Sequence, residues 1–385
     1  MYASRLSGIA PFKVMEVLRR ARELEAQGFD VVHMEVGEPD FPTPEPIVKA
    51  GQKALSKGHT KYTDARGIPE LRREIAEYYQ SDYGLDINED QIFITAGGSG
   101  ALLLTTALLM NPGENLLMSD PGYPCNRHFL TAFSGASRLV PVSADDGYQL
   151  TDTLVSENWN AETRGVLMSS PANPTGALID DQTLFQLSLT VESKGGYLVS
   201  DEIYHGLVYG TQGKTSALHA NGNAFVINSF SKYFGMTGWR LGWLIVPAAA
   251  ASDVEKLAQN LFICPSSVAQ YAAISAFLPE SREIMENQRL EFQSRRDFMV
   301  SALRGLGFNV PNIPDGAFYV YAGLPEGFAD SEPFTKWLLE EHHLAITPGT
   351  DFGQFQADRH VRFSYAQPLE RLASGIEKLT QAIKQ

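Results

Sequence analysis

The chain of 385 residues is poor in cysteine: Cys125 and Cys264 stand far apart and form no CxxC pair. That excludes a disulfide framework and the usual spacing of a zinc site, so no metal is expected. Long apolar runs are also missing. No window of about 18 uncharged apolar residues occurs, which leaves no transmembrane helix in view. The opening segment MYASRLSGIAPFKVMEVLRR lacks the apolar core of a secretory signal. Positive charge is in deficit, with 31 Lys and Arg against 45 Asp and Glu and a formal net charge of -14. A chain with this balance is repelled by phosphate backbones and anionic bilayers, so neither nucleic acid nor membrane is expected as a partner. A local basic pocket stays open. No internal repeat is present, and a reducing, cytoplasmic setting is the expectation.

What the chain does contain is an ordinary apolar content, 44%, in a length that allows two domains with substantial cores. In residues 13–27, KVMEVLRRARELEAQ, the side chains Val14, Val17, Leu18, Ala21 and Leu24 fall near one face, which predicts an amphipathic helix. Helices are also predicted over 46–57 and after the loop in YTDARGIPELRREIAEYY, with Pro69 near the first turn. From residue 92 short apolar runs follow one another: IFIT, NLLMS, GVLMSS, GYLVSD, AFVINSF and LGWLIV. Helical stretches such as SGALLLTTALLM separate them. Continuously apolar strands between helices predict a sheet covered on both faces. Most of these runs end in Ser, Thr, Asp or Asn, at the carboxyl ends where open α/β sheets gather their ligands. After about residue 250 the pattern changes to a long helix over roughly 281–304, strands in GAFYVYA and VRFSYA, and helices over 333–342 and 369–384. This predicts a smaller α+β domain, against which the N-terminal helix is expected to pack.

Five segments carry candidate chemistry. ITAGGSGALLLTTALL, residues 94–109, runs a strand into a glycine-rich turn, with a helix starting near Ser99. Free N–H groups at such a start bind anions. The spacing is neither GxGxxG nor a P-loop, which favours a lone phosphate; a plain strand-to-helix turn fits this stretch equally well. DPGYP puts Tyr123 at a strand end, either flat against an aromatic ligand or as a turn residue only. In SSPANPTG, Pro171, Pro174 and Gly176 pin a turn around Asn173, and Pro174 keeps Asn173 out of helical geometry. Either proline can be cis. YLVSDEIYHG ends an apolar strand on Asp201, an acid that needs a partner if buried; a protonated ring nitrogen is one, and capping a helix is the other reading. Tyr204 adds a hydroxyl three residues on.

SFSKYFGMTGWRLGW sets Lys232 between Ser229, Ser231 and Gly235, with Arg240 eight residues beyond. Ser229 and Arg240 can hold a phosphate from two sides. A lysine amine becomes a nucleophile once burial or neighbouring cations lower its pKa. Taken alone, the pair reads as well as a solvated loop lysine and a surface arginine. Taken together, the five segments ask for one ligand, a phosphorylated aromatic aldehyde, and pyridoxal phosphate is that ligand.

At this point the chain resembles the fold-type I pyridoxal-phosphate enzymes, specifically the class I/II aminotransferases. The matching pieces are VGEPDFPTP, YTDARGIPELRREIA, TAGGSGAL, DPGYP, SSPANPTG, SDEIYHGLVY, SFSKYFGMTGWRLGW, DGAFYVY and VRFSYA, in family order from about residue 30 to 365. The resemblance implies an α/β fold with a mainly parallel seven-stranded sheet between helices. It implies a large cofactor domain over 46–284 and a small domain formed by 1–45 and 285–385. Lys232 looks like the Schiff-base lysine and proton shuttle, and Asp201 like the partner of the pyridine nitrogen. Tyr204 and Asn173 look like donors to the ring's phenolic oxygen, and Tyr123 like the stacking ring. Gly98, Ser99, Ser229 and Arg240 resemble the phosphate cup. Relatives often carry Ala and a longer residue where Gly98 and Ser99 stand, but the backbone donors survive that change. Arg362 looks like the clamp for the substrate α-carboxylate, with Gly37 beside it. Tyr62 resembles the residue lent across a homodimer interface to the neighbour's phosphate.

The implied reaction moves an amino group from an L-amino acid to a 2-oxo acid, 2-oxoglutarate or pyruvate. A C–S β-lyase on the same fold is the alternative, since both classes share these motifs. A non-catalytic regulator is a remote one, because no DNA-binding head precedes the first helix. For the donor side chain the sequence offers Phe12, Phe41, Phe352 and Phe355 for an apolar group, or Arg66 and Arg127 for a second carboxylate. His128 and His205 read equally as structural residues.

Overall fold

A computed structural model describes residues 2–210 and 213–384. Among these residues the strands, in chain order, are β1 (Val32–His33), β2 (Ile92–Thr95), β3 (Asn115–Asp120), β4 (Ala136–Pro141), β5 (Thr163–Ser169) and β6 (Tyr197–Asp201). They continue as β7 (Phe225–Ser229), β8 (Gly242–Ile245), β9 (Tyr319–Gly323), β10 (Leu344–Ala345), β11 (Thr347–Pro348) and β12 (His360–Ser364). Seven of them form one sheet in the order β2-β8-β7-β6-β5-β3-β4. Strand β8 is antiparallel to both its neighbours, β2 and β7, and the remaining pairs are parallel. The predicted architecture is therefore present, a mainly parallel seven-stranded sheet between helices.

The six apolar runs of the sequence are six of these strands, and β2, β7 and β8 are buried along their whole length. Burial on both faces removes the need for alternation, so the strands read as unbroken Val, Ile and Leu. The seventh, β4, gave no such run. It lies at the sheet edge, where exposed and shielded residues alternate along ASRLVP. The helix Gly97–Leu109 packs on β7 and β8 and begins two residues earlier than expected, at Gly97. Trp243, Phe225, Phe93 and Phe230 lie fully buried in the core, each contributing on the order of 2–3 kcal/mol by area removed from water.

A second layer of structure caps one edge of the sheet. It holds an antiparallel sheet, β11-β12-β9, and the parallel pair β1-β10. The strands predicted in GAFYVYA and VRFSYA are β9 and β12. The helix Pro279–Gly305 opens with proline at its first position, where the missing N–H costs nothing. The first helix, Lys13–Ala26, joins this layer as expected: Ala21 and Leu24 share a small core with Val31, Leu339 and Ala345. No helix of the described residues is long and apolar enough to cross a membrane. The peptide bonds before Pro121, Pro171 and Pro174 are cis.

The cap is tied to the large sheet at Asp120, the last residue of β3. Its buried carboxylate accepts the N–H of Gln354 at 3.0 Å and of Phe355 at 3.1 Å. The N–H of Gly122 in turn donates to Phe352 O at 2.9 Å. A Cβ on Gly353 would meet Asp120 Oδ1 at 1.7 Å, so only glycine allows this approach. Gly353→Ala is expected to destabilise the protein by about 1–3 kcal/mol through overpacking, seen as a lower urea midpoint. An unchanged midpoint contradicts the clamp.

Candidate active site

Strand direction brings the candidate residues together. Strands β2, β3, β5, β6 and β7 all end at one edge of the sheet, and the antiparallel β8 begins there. Asp201 closes β6 itself, the segments after the other strands carry Gly98, Tyr123, Asn173 and Lys232, and the turn before β8 carries Arg240. These residues, with Ser99, Tyr204 and Ser229, line a cavity of about 380 Å³. Gly37, Tyr319 and Arg362 close it from the cap.

Lys232 donates from Nζ to Gly37 O at 2.7 Å. Burial pushes its pKa down to about 8; Arg362 and Arg240 act in the same direction, against Glu38 and Asp201. Asp201 is 5% exposed and accepts the Ile203 N–H at 3.3 Å. It makes no ion pair among the described residues, and burial pushes its pKa up to about 7. The helix-cap alternative is not realised, since the residues after β6 form turns before the short 3-10 segment His205–Leu207. The acid is a buried acceptor aimed into the cavity with little to hold it.

On the opposite side lies a cup of donors. Gly97 has φ +69°, and a Cβ there would meet Arg240 Nη2 at 2.9 Å. The guanidinium therefore sits against the start of the helix Gly97–Leu109, beside Gly98 and Ser99. Ser229 Oγ lies 2.9 Å from Ser231 Oγ and 3.2 Å from Leu241 O. Two hydroxyls, a helix N-terminus and an arginine make an anion site.

Arg362 is 2% exposed. Its guanidinium lies between two rings, 4.2 Å from the centroid of Tyr319 and 4.7 Å from that of Phe352. Nη1 donates to Asn173 Oδ1 at 3.0 Å, Nη2 donates to Glu35 O, and Nε has no partner among the described residues. With its oxygen turned to Arg362, Asn173 keeps its amide N–H groups for another acceptor. The Tyr204 hydroxyl lies 2.9 Å from that of Tyr319. Tyr123 meets Phe12 edge-on at 6.2 Å.

Some readings of the sequence do not reach the cavity. Arg66 pairs with Glu255 and Asp90. Arg127 donates from Nη2 to Asp351 O at 2.8 Å and lines a neighbouring hollow with Tyr123 and Asn173 rather than the main cavity. Phe41 packs on Phe292, Phe352 backs Arg362, and Phe355 lines a separate hollow beside Pro121. His205 is buried beside Tyr83. Tyr62 is 80% exposed and lies outside this chain's own cavity. The cavity residues that sequence reasoning missed include Tyr319 and the apolar wall of Met15, Leu18 and Val36; Ser231 stands out only as a neighbour of Lys232. DGAFYVY contains Tyr319, but nothing in that string says which side chain faces the site.

The donor set fits pyridoxal phosphate. A buried acid lacks a cation, a desolvated lysine shares its cavity, and a cup for a dianion lines the same space. These features define a fold-type I pyridoxal-phosphate site. Residues 30–379 match the family described as aminotransferase class I and II. The valine–pyruvate aminotransferase of Mycobacterium tuberculosis is 37% identical over 97% of this chain and 96% of its own length. The (5-formylfuran-3-yl)methyl phosphate transaminase of Methanocaldococcus jannaschii is 38% identical over 99% of each chain. The crystal structure of an aminotransferase from Mycobacterium tuberculosis superposes with a TM-score of 0.96 at 37% identity, covering 100% of this chain and 99% of that one. The chain belongs to the class I and II aminotransferases, and it is a pyridoxal-phosphate-dependent enzyme acting on amino acids.

Asp201 makes stability depend on pH. Its folded pKa of about 7 lies above the unfolded value near 4, so the folded state binds more protons between about pH 4 and 7. Its favourable contribution is full at low pH and is lost as pH rises through 7. Asparagine has no charge to bury. In cofactor-free protein, the stability of Asp201→Asn relative to wild type is expected to grow from about pH 4 to 7 and then level off. A difference that does not change with pH, in urea melts, contradicts the assignment.

Proposed function

We propose that the enzyme moves the amino group of an L-amino acid with an apolar side chain to a 2-oxo acid, pyruvate or 2-oxoglutarate. The observation that carries the donor class is the wall of Phe12, Met15, Leu18 and Val36 on the cavity, whose lining includes neither Arg66 nor Arg127. The name of the Mycobacterium tuberculosis relative, a valine–pyruvate aminotransferase, agrees with that choice.

When bound, pyridoxal phosphate supplies an aldehyde that takes up the amino group and a ring that disperses the charge left at the α-carbon. Lys232 holds the cofactor through Nζ. Gly98, Ser99, Ser229 and Arg240 hold its phosphate, and Tyr123 lies against its ring. Arg362 binds the substrate α-carboxylate with Asn173 and Gly37 beside it. With the substrate's amino group in its place on the cofactor, Lys232 Nζ would take the α-proton as general base and deliver it, across the amino nitrogen, to the cofactor's exocyclic carbon. Its lowered pKa leaves a fraction of neutral amine near pH 8. Asp201 keeps the ring nitrogen protonated, and Tyr204 and Asn173 donate to the phenolic oxygen.

The same reading makes the enzyme a cytoplasmic homodimer. Tyr62, exposed on its own chain, reaches the phosphate of a second copy across an interface that carries both sites. Residues 46–284 form the cofactor domain, and 1–45 with 285–385 form the small one.

Lys232→Ala is expected to lower kcat at least about 10³-fold; near-normal steady-state turnover removes Lys232 from the chemistry. Arg362→Gln is expected to raise the donor KM about 30- to 100-fold, the worth of a lost charged pair, and unchanged KM removes it from the clamp. For the reaction itself, single amino acids are added to loaded protein without an acceptor while visible absorbance is followed. Loss of the yellow band, fastest with apolar donors, supports the proposal. A band that persists while pyruvate and ammonia accumulate points to the β-lyase. Fastest loss with aspartate or glutamate overturns the donor class.

A further inference from the structure

We infer that Tyr319 is a positioning residue with two separable tasks: its hydroxyl donates to Tyr204 and turns the Tyr204 proton toward the cofactor's phenolic oxygen, while its ring holds the Arg362 guanidinium. The inference rests on the cofactor role proposed for Tyr204.

Tyr319 is the first residue of β9 and is 1% exposed. Three parts of the site converge on it. Its hydroxyl lies 2.9 Å from Tyr204 Oη. The same hydroxyl would lie 2.2 Å from a Cβ on Gly37, so the Gly37 backbone, whose carbonyl receives Lys232 Nζ, rests against it. Its ring face lies 4.2 Å from Arg362 Cζ. Among the described contacts, no other residue lining the cavity meets the backbone that receives Lys232 Nζ, the phenolic-oxygen donor and the carboxylate clamp together.

Proton counting sets the polarity. A phenol carries one proton and accepts through two lone pairs. In the protein alone either hydroxyl can give the hydrogen bond. Once Tyr204 must donate to a cofactor oxygen, its proton is committed, and the bond to Tyr319 survives only if Tyr319 is the donor. Among the described residues the Tyr319 hydroxyl has no other hydrogen-bond partner, and a phenol that accepts one hydrogen bond gives a stronger second one. Stronger donation stabilises negative charge on the phenolic oxygen and so favours the deprotonated form of the loaded site. The ionisable groups facing Tyr204 are Tyr319, Arg362 and Tyr123, with Lys232 Nζ 5.8 Å from its ring. Those facing Lys232 are Glu38, Arg362, Arg240 and Asp201. Tyr319→Phe changes none of these charges and keeps the ring under Arg362.

The test is a pH titration of the visible band of the loaded protein without substrate, beside donor kinetics, for wild type, Tyr319→Phe, Tyr319→Leu and Tyr204→Phe. Tyr204→Phe is expected to raise the spectral midpoint, and Tyr319→Phe to raise it by a smaller amount, about half a unit, with donor KM within about twofold. Tyr319→Leu is expected to raise donor KM about tenfold, as the guanidinium loses one of its two rings. A midpoint lowered by Tyr319→Phe means that Tyr204 donates to Tyr319 and overturns the relay. No shift in Tyr319→Phe with a clear shift in Tyr204→Phe overturns the relay while leaving the role of Tyr204 intact. No shift in Tyr204→Phe shows that the reading of Tyr204 has failed, and the inference falls with it. Equal KM in all four proteins overturns the second task.

Discussion

Burying a carboxylate without a cation is costly, and the site is built around one that is buried in this way. Asp201 sits at the end of β6, out of water, with a backbone N–H as its hydrogen-bond donor. In the protein alone the charged form is penalised, and its pKa rises to about 7. Such a site persists where a bound cationic group offsets the desolvation. Across the cavity, Lys232 has the complementary problem, an amine whose ammonium form is disfavoured by the same burial. An acid poised to hold a proton and an amine poised to lose one form the electrostatic frame of the site. The remaining residues position a ligand within it.

That frame depends on strand direction. Because only β8 is antiparallel within the large sheet, five strand ends and one strand start deliver their turns to a single edge. The cap then supplies what the sheet cannot, a guanidinium held between two rings and by the carbonyl of Glu35. One close backbone approach joins the two layers: Gly353 lies against Asp120, where a methyl group would push the cap away from the sheet. Within the cap, Gly37 lies against Tyr319 in the same way, so packing as well as hydrogen bonds sets the separation of substrate clamp and cofactor edge.

Much of the fold was legible in the sequence because buried parallel strands are continuously apolar. What escaped was β4, whose edge position gives alternation, and β1, β10 and β11, two residues each and too short to carry any pattern. Residues at strand ends were legible for a related reason: a polar residue closing an apolar run stands out. Asp201 stands out that way, Asn173 through the prolines that pin its turn and Lys232 through its Ser and Gly neighbours, and the structure brings all three to one cavity. Arg66 read as a candidate for a second carboxylate because its partner, Glu255, is distant in sequence. Tyr319 escaped because its importance lies in what it touches, which neither spacing nor composition encodes. The position of Tyr62 has meaning only beside a second copy.

The most direct measurement is to fix the cofactor where it sits. Loaded protein is reduced with borohydride, digested, and its peptides are mapped by mass. The expected result is a single phosphopyridoxyl label on the peptide containing Lys232. A label on a different lysine, or none on a protein shown to carry stoichiometric cofactor, contradicts the site described here.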